Sequence, residues 1–457
     1  MKLTKGLAGL LSISLISFMA ACSSAGGSGN SGNTDKPAVA SGEDKSKTSN
    51  DKAVSELVFF GVDIDVDKEG KYWKSFEDEN KVKIKVVTTK SDKFMETFMA
   101  SHNAKQTIDI LRLNGQDVRF MSTAGMIKDI TDQVSPYKDR FNTAALSPFS
   151  FGGKIFGVPT GSMSTSAIFY NKKILDANGL KPPTSLQDLE ALNAALKQKG
   201  LSTFAFMGKD IYMWPMWFFQ TFAQASGNKS VERTMDTLRG KAKFTDADYV
   251  AAMKALQQIG KSGSYIPGVN GVDATAAKAI FSTGKAAMFY GGSWESAGFI
   301  KSAKDSGGKI DLAVAKFPLI SDQAGIKAES TGGSGAALAI SSTIDPNKEA
   351  LAKKFLDYWT SDKLQQQMLN DNNGVFAVNV NVKSNSTDPV IDDLTKNYLK
   401  DTVTFLDWYW PPEITKAFQQ NIQAVVGGQK EPEAAMQEIQ KTFDDLVAKG
   451  YNFDKKE

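Results

Sequence analysis

Twice along this 457-residue chain, short apolar runs alternate with helical stretches. That repeated alternation limits the fold more than any other feature. The first round begins at Glu56-Leu57-Val58-Phe59-Phe60, an apolar run that reads as a buried strand. Residues 72–79 read as helix, 82–87 alternate as a strand does, 93–102 read as helix and 108–113 as strand. Strand, helix, strand, helix, strand is the order of a parallel sheet with crossover helices. The second round has a strand at 167–171 and a helix at 185–199, with Thr184 or Ser185 as its N-cap and Gly200 as its stop. A strand follows at 204–207, then a mostly helical stretch at 234–259 broken at Gly240 and at Phe244-Thr245. A helix at 274–283 runs into Gly284, and a strand follows at 286–290. Helical pairs at 347–360 with 362–370, and at 413–426 with 431–448, close the chain. No short-period repeat is present. Two α/β alternations in about 400 residues argue for two α/β lobes.

Ahead of these elements lies a secretory pattern. Lys2 and Lys5 form a basic start, residues 7–19 are apolar but thinned by Gly9, Ser12, Ser14 and Ser17, and Ala20 and Ala21 are a small-residue exit. The apolar stretch is short of the about 20 residues that span a bilayer. Cys22, the one cysteine in the chain, follows directly. Its position resembles a bacterial lipobox, in which the leader is cut before the cysteine and the cysteine is acylated, although Met19 stands where the usual leucine would be. The alternative is an ordinary secreted protein whose cysteine is incidental. Residues 23–53 are rich in Ser, Gly, Asn, Asp and Lys, with Val39 as the lone large apolar residue outside the boundary. They read as a flexible tether.

The remaining composition excludes several classes. The formal charge of +3 falls to about +1 without Lys2 and Lys5, and no dense basic run marks a nucleic-acid surface. With 41% hydrophobic residues and 28 Phe, packed cores are affordable without a disulfide, which one cysteine cannot form within a chain. The lone His102 sits at a helix end and reads as solvated. No G-x-S-x-G elbow, no His/Cys cluster for zinc and no complete phosphate or dinucleotide loop is present, so neither metal nor cofactor is expected.

Several stretches resemble, in order, the maltose-binding type of bacterial extracellular solute-binding proteins. They are Gly153-Lys154-Ile155-Phe156-Gly157-Val158-Pro159 with Tyr170-Asn171-Lys172, Gly179-Leu180-Lys181-Pro182-Pro183-Thr184-Ser185, and Gly284-Lys285-Ala286-Ala287-Met288 with Gly292-Ser293-Trp294. Asp345-Pro346-Asn347-Lys348-Glu349-Ala350 with Lys354-Phe355-Leu356 completes the set. The resemblance covers about residues 54–450. It implies the type II periplasmic-binding-protein fold, two α/β lobes joined by a multi-strand hinge with a ligand cleft between them. The boundaries that follow are a signal peptide at 1–21, a lipid-anchored linker at 22–53, lobe 1 at 54–164 and lobe 2 at 165–329. A hinge crossing with return to lobe 1 takes 330–383, and C-terminal helices on lobe 2 take 384–457. Crossings are expected near 160–166, 330–336 and 376–383. The implied role is capture of a carbohydrate, an oligosaccharide, for an ABC transporter permease, by a monomer held at the outer face of a Gram-positive cell membrane through Cys22.

Sugars present hydroxyls that donate and accept, and apolar ring faces, so a cleft for them needs carboxylates, amides and aromatic rings. The loop after the first strand offers Asp63 and Asp65. Its alternating aspartates suggest a calcium loop, but Lys68 stands where that loop needs Gly and Lys74 where it needs Glu. The loop after the strand at 108–113 offers Asn114 and Gln116, without an aromatic. Tyr212 and Trp214 open a helix of the second lobe. Trp294 leaves a strand through Gly291-Gly292-Ser293, and matches the family's ring-stacking tryptophan. Trp408 and Trp410 lie in the densest aromatic cluster, where consecutive residues point different ways, so one is expected to stack on ligand and the other to pack. Gly333 belongs to the glycine-rich crossing Gly332-Gly333-Ser334-Gly335. The alternative from another class is a secreted glycosidase, which needs two carboxylates and an aromatic cleft. A surface adhesin is a third reading.

Overall fold

A computed structural model describes residues 54–90, 93–160, 162–321, 323–371 and 376–453. The expected leader, Cys22 and the expected tether lie outside the described residues. In chain order the first strands are β1 (Glu56–Val62), β2 (Lys83–Thr89), β3 (Ile110–Asn114), β4 (Ser150–Phe151), β5 (Lys154–Ile155) and β6 (Val158–Pro159). Then come β7 (Met163–Asn171), β8 (Ser202–Ala205), β9 (Ala286–Gly292), β10 (Leu312–Ala315), β11 (Ser330–Ser334), β12 (Ala336–Ile340) and β13 (Thr402–Thr404).

The first sheet has the order β2-β1-β3-β12-β6. Its β1 pairs parallel with both β2 and β3, as the alternation of strands and helices requires. Both faces of β1 are buried. Leu57 and Phe59 join the main core, whereas Phe60 and Val62 join a second cluster with Phe94, Phe98 and Val118 on the other face. Burial on both sides is why β1 reads as an unbroken apolar run rather than an alternating one. Asp109, fully buried beside β1, accepts from the Val58 N–H at 2.8 Å and pairs with Lys348 at 2.8 Å, so its charge is compensated.

The second sheet has the order β13-β11-β7-β9-β8, with β10 on β7. It is mixed rather than simply parallel. β8 runs parallel to β9, but β7 runs antiparallel to β9, β10 and β11. The reason is topological: β7 enters this sheet directly from the first one instead of through a crossover helix. The helix Trp214–Ala225 packs across the sheet and is buried along nearly its whole length, as a helix apolar on every side must be. Trp217 fills its centre, with the rings of Tyr290 at 4.7 Å, Tyr265 at 4.9 Å and Phe204 at 5.1 Å.

Local signals explain the helix ends. Ser185 and Asp188 form a reciprocal capping box on the helix Leu186–Gln198. The stretch expected to be helical at 234–259 is two helices, Ser230–Leu238 and Ala247–Lys261, parted at the breaks noted above. The closing helices Pro412–Val426 and Pro432–Ala448 pack against the second-sheet side.

The chain passes directly from one sheet to the other at two adjacent places. β6 ends at Pro159 and β7 begins at Met163, while β11 and β12 are separated by Gly335 alone. The two paths are antiparallel neighbours throughout: Pro159 faces Ala337, the Thr160 N–H donates to the Ala336 carbonyl at 3.0 Å, and Met163 faces Ser334. Phe376 lies alongside as a bridge partner of Met163.

Candidate functional site

A cavity of about 590 Å³ opens where the strand ends of the two sheets face one another. Its size is within the range of small-molecule sites, about 300–1,000 Å³. Both sheets contribute. Asp63, Arg112 and Asn114 come from the first, Tyr212 and Trp294 from the second, and Phe405, Asp407 and Trp408 from the segment after β13.

Each aromatic is presented by a short, pinned turn. Tyr212 sits in the turn Ile211–Met213 and is 57% exposed. That turn is fixed by Asp210, whose carboxylate accepts from the Ala274 N–H at 2.7 Å. Trp294 sits in the turn Ser293–Glu295 and is 46% exposed. Ser293 Oγ accepts from the Thr165 N–H at 3.1 Å and Glu295 pairs with Lys278 at 2.7 Å, so both flanks of Trp294 are tied down. Its ring lies over Gly292, where any Cβ would overlap it. Trp408 is buried at the cavity wall, edge-on to Phe405 at 5.2 Å, and its ring covers Gly115 at the start of the helix Gly115–Thr123.

The polar groups differ in how they are held. Asp63 directly follows β1 with a φ of 46°, a left-handed backbone that aspartate tolerates better than most residues, and faces Lys90 at 3.3 Å. Arg112, projecting from β3, pairs with Glu69 at 2.6 Å. Asp407 has an inaccessible Oδ1 with no hydrogen-bond partner, and burial pushes its carboxyl up to about 7. Asp117, one turn into the helix Gly115–Thr123, is raised to about 7 by the same cause, although it does not border the cavity.

Of the ten expected contact residues, Asp63, Asn114, Tyr212, Trp294 and Trp408 border this cavity. Four others do not, each for a visible reason. Asp65 caps the helix Val66–Asn80, accepting from the Lys68 N–H at 3.2 Å and pairing with the Lys68 ammonium at 2.7 Å, which also lowers its pKa. Trp214 is fully buried, donates to the Gly208 carbonyl at 2.9 Å and packs on Phe206 at 4.8 Å. Trp410 lies flat on Phe418 at 4.1 Å, so it packs away from this cavity while Trp408 borders it. Gly333, with a φ of 119°, stays in the β11–β7 ladder opposite Ser164, and Gly335 borders the cavity instead. The side chain of Gln116 lies outside the described residues. The sequence reading missed Arg112, Phe405, Asp407 and Gln419 as wall residues. A lone arginine within the strand Ile-Leu-Arg-Leu-Asn was a readable signal; the others carried none that set them apart from core.

The chain matches a family model described as "Bacterial extracellular solute-binding protein" over residues 71–397. A relative from Streptococcus mutans, named multiple sugar-binding protein, is 24% identical over 375 residues, 80% of this chain and 85% of its own length. Among solved structures, a chitin oligosaccharide binding protein superposes with a TM-score of 0.76 at 21% identity, covering 86% of this chain and 99% of that one. The raffinose complex of a binding protein, RafE, does so with 0.68 at 20% identity, covering 86% and 100%. These likenesses carry the fold: two α/β lobes of the periplasmic-binding-protein type II architecture.

Proposed function

The chain belongs to the bacterial extracellular solute-binding proteins, and on that footing we propose that it captures an oligosaccharide and delivers it to an ABC transporter permease. The observation that carries this reading is the inter-sheet cavity, where ring faces at Tyr212, Trp294 and Trp408 stand beside polar groups at Asp63, Arg112, Asn114 and Asp407. Rings suit the apolar faces of pyranoses and the polar groups suit their hydroxyls. The names of the relatives support the sugar class. Ligand binding favours a closed arrangement only through its higher affinity for that state, and two side-by-side crossings would give the lobes a common axis about which to close.

The mode is capture without turnover by a monomer. A panel of mono- and oligosaccharides screened by thermal shift tests the reading, since a ligand of the folded state raises stability by mass action. Bound sugar recovered chemically unchanged is the expected result; cleavage that stops on replacing Asp63 or Asp407 would favour a glycosidase instead.

Trp294→Ala is expected to weaken binding by roughly tenfold or more, about the loss of one stacking contact of 1–2 kcal/mol. Because the ring is nearly half exposed, the melting temperature should stay within a few degrees. An unchanged affinity would remove Trp294 from the site.

Tethering through an acylated Cys22 completes the proposal, with the polar segment 23–53 spacing the body from the membrane. Among the described residues no helix is long and apolar enough to cross a membrane. Cys22→Ala should release the protein into the medium; retention with the cells at the wild-type level argues for another anchor.

A further inference from the structure

We propose that the saccharide taken by this cleft carries an amine, and that its ammonium sits against Asp407 within the aromatic wall of Trp294, Phe405 and Trp408. The inference rests on the carbohydrate reading and narrows it. Three charged side chains border the cavity. Arg112 is neutralised by Glu69 at 2.6 Å, and Asp63 faces Lys90 at 3.3 Å. Asp407 alone of the three has no basic side chain in ion-pair contact among the described residues.

Aromatic side chains share the cavity wall with Asp407. Phe405 is the hub, with ring centroids of Trp408 at 5.2 Å, Phe219 at 5.9 Å and Trp294 at 6.5 Å. A carboxylate desolvated among rings is costly without a counter-charge, and its elevated pKa reports that cost. A sugar hydroxyl can donate to Asp407 but leaves that charge uncompensated. An ammonium supplies the missing cation, and the ring faces stabilise it further. Neighbouring charges do not fill this role: Arg112 and Lys90 are engaged elsewhere, and Asp117, on the adjacent helix, is an acid raised by burial as Asp407 is and supplies no cation.

The test uses the mature chain and titration calorimetry at neutral pH. The probes are short oligosaccharides of glucosamine and galactosamine, their N-acetylated counterparts, and neutral glucose and galactose oligomers of equal length. The amine forms should bind roughly tenfold or more tighter than their N-acetylated counterparts, the scale of a desolvated ion pair. Asp407→Asn should bring that ratio near unity. Equal affinity for amine and N-acetyl forms, or a ratio that survives in Asp407→Asn, overturns the inference. Binding of neutral oligomers alone overturns it while leaving the carbohydrate reading intact, and binding by neither class overturns both. Should Asp407→Asn fail to fold, the amine to N-acetyl ratio of the unmodified protein decides by itself.

Discussion

Gly332→Ala is expected to lower folding stability by about 3 kcal/mol or more, among the largest effects of a single methyl group. Gly332 lies in β11 between two partners, facing Thr165 of β7 on one side and Thr404 of β13 on the other. A Cβ there would overlap the Ser164 carbonyl oxygen and stand 2.9 Å from the Thr165 Cα. These are backbone atoms of a paired strand, so relief requires the β7–β11 ladder to part rather than a side chain to turn. Denaturant unfolding of Gly332→Ala beside Gly335→Ala checks the idea. At Gly335 a Cβ meets nothing within 4 Å, and the expected change is under about 1 kcal/mol. Comparable losses at the two positions would sink it.

The second large effect is on pH dependence. Asp407 and Asp117 have carboxyls raised from 3.8 to about 7 in the folded chain, both by burial. An acid raised in this way binds its proton more tightly folded than unfolded. Its contribution is complete below the unfolded value near 4 and is lost as pH climbs through 7. Carboxylates with lowered values, such as Asp65 and Asp188, titrate below this window and do not mask it. Stability of the ligand-free protein should therefore fall between about pH 4 and 7. The expected size is a few kcal/mol for each group at about 1.4 kcal/mol per unit. Glu329, also raised by burial, adds to the same slope, so Asp407→Asn and Asp117→Asn should each remove a part of it, measured by chemical denaturation across that range. A flat profile in the unmodified protein would refute the raised values.

What could be read from the sequence was what depends on near neighbours. The alternation of strands and helices, the Ser185 cap and the breaks near Gly240 and Phe244 all involve residues within a turn or two of one another. The mixed order of the second sheet was not legible, because it depends on β7 arriving from the other sheet. Site residues divide the same way. Trp294 was legible through Gly292, since a glycine two residues before a tryptophan leaves room for its ring. Trp214 and Tyr212 are neighbours of similar chemistry, and the tryptophan turns inward through contacts with distant or buried partners, Phe206, Tyr265 and the Gly208 carbonyl. Asp65 looked like Asp63 until the helix proved to begin at Val66, which turned it into a cap. Asp407 was hidden among aromatic neighbours, since burial of a carboxyl is a property of the surroundings and not of the residue.

The place of β12 in the first sheet has a consequence for biosynthesis. β12 lies between β3 and β6, yet it follows β7 through β11 in the chain. A chain emerging from the ribosome N-terminus first exposes β1, β2 and β3 while the open edge of β3 still lacks its partner. An unpaired apolar edge is an invitation to pair with other chains, and contacts so distant along the chain are slow to form. The first sheet therefore cannot be completed until β12, at Ala336–Ile340, has been made, long after its other strands.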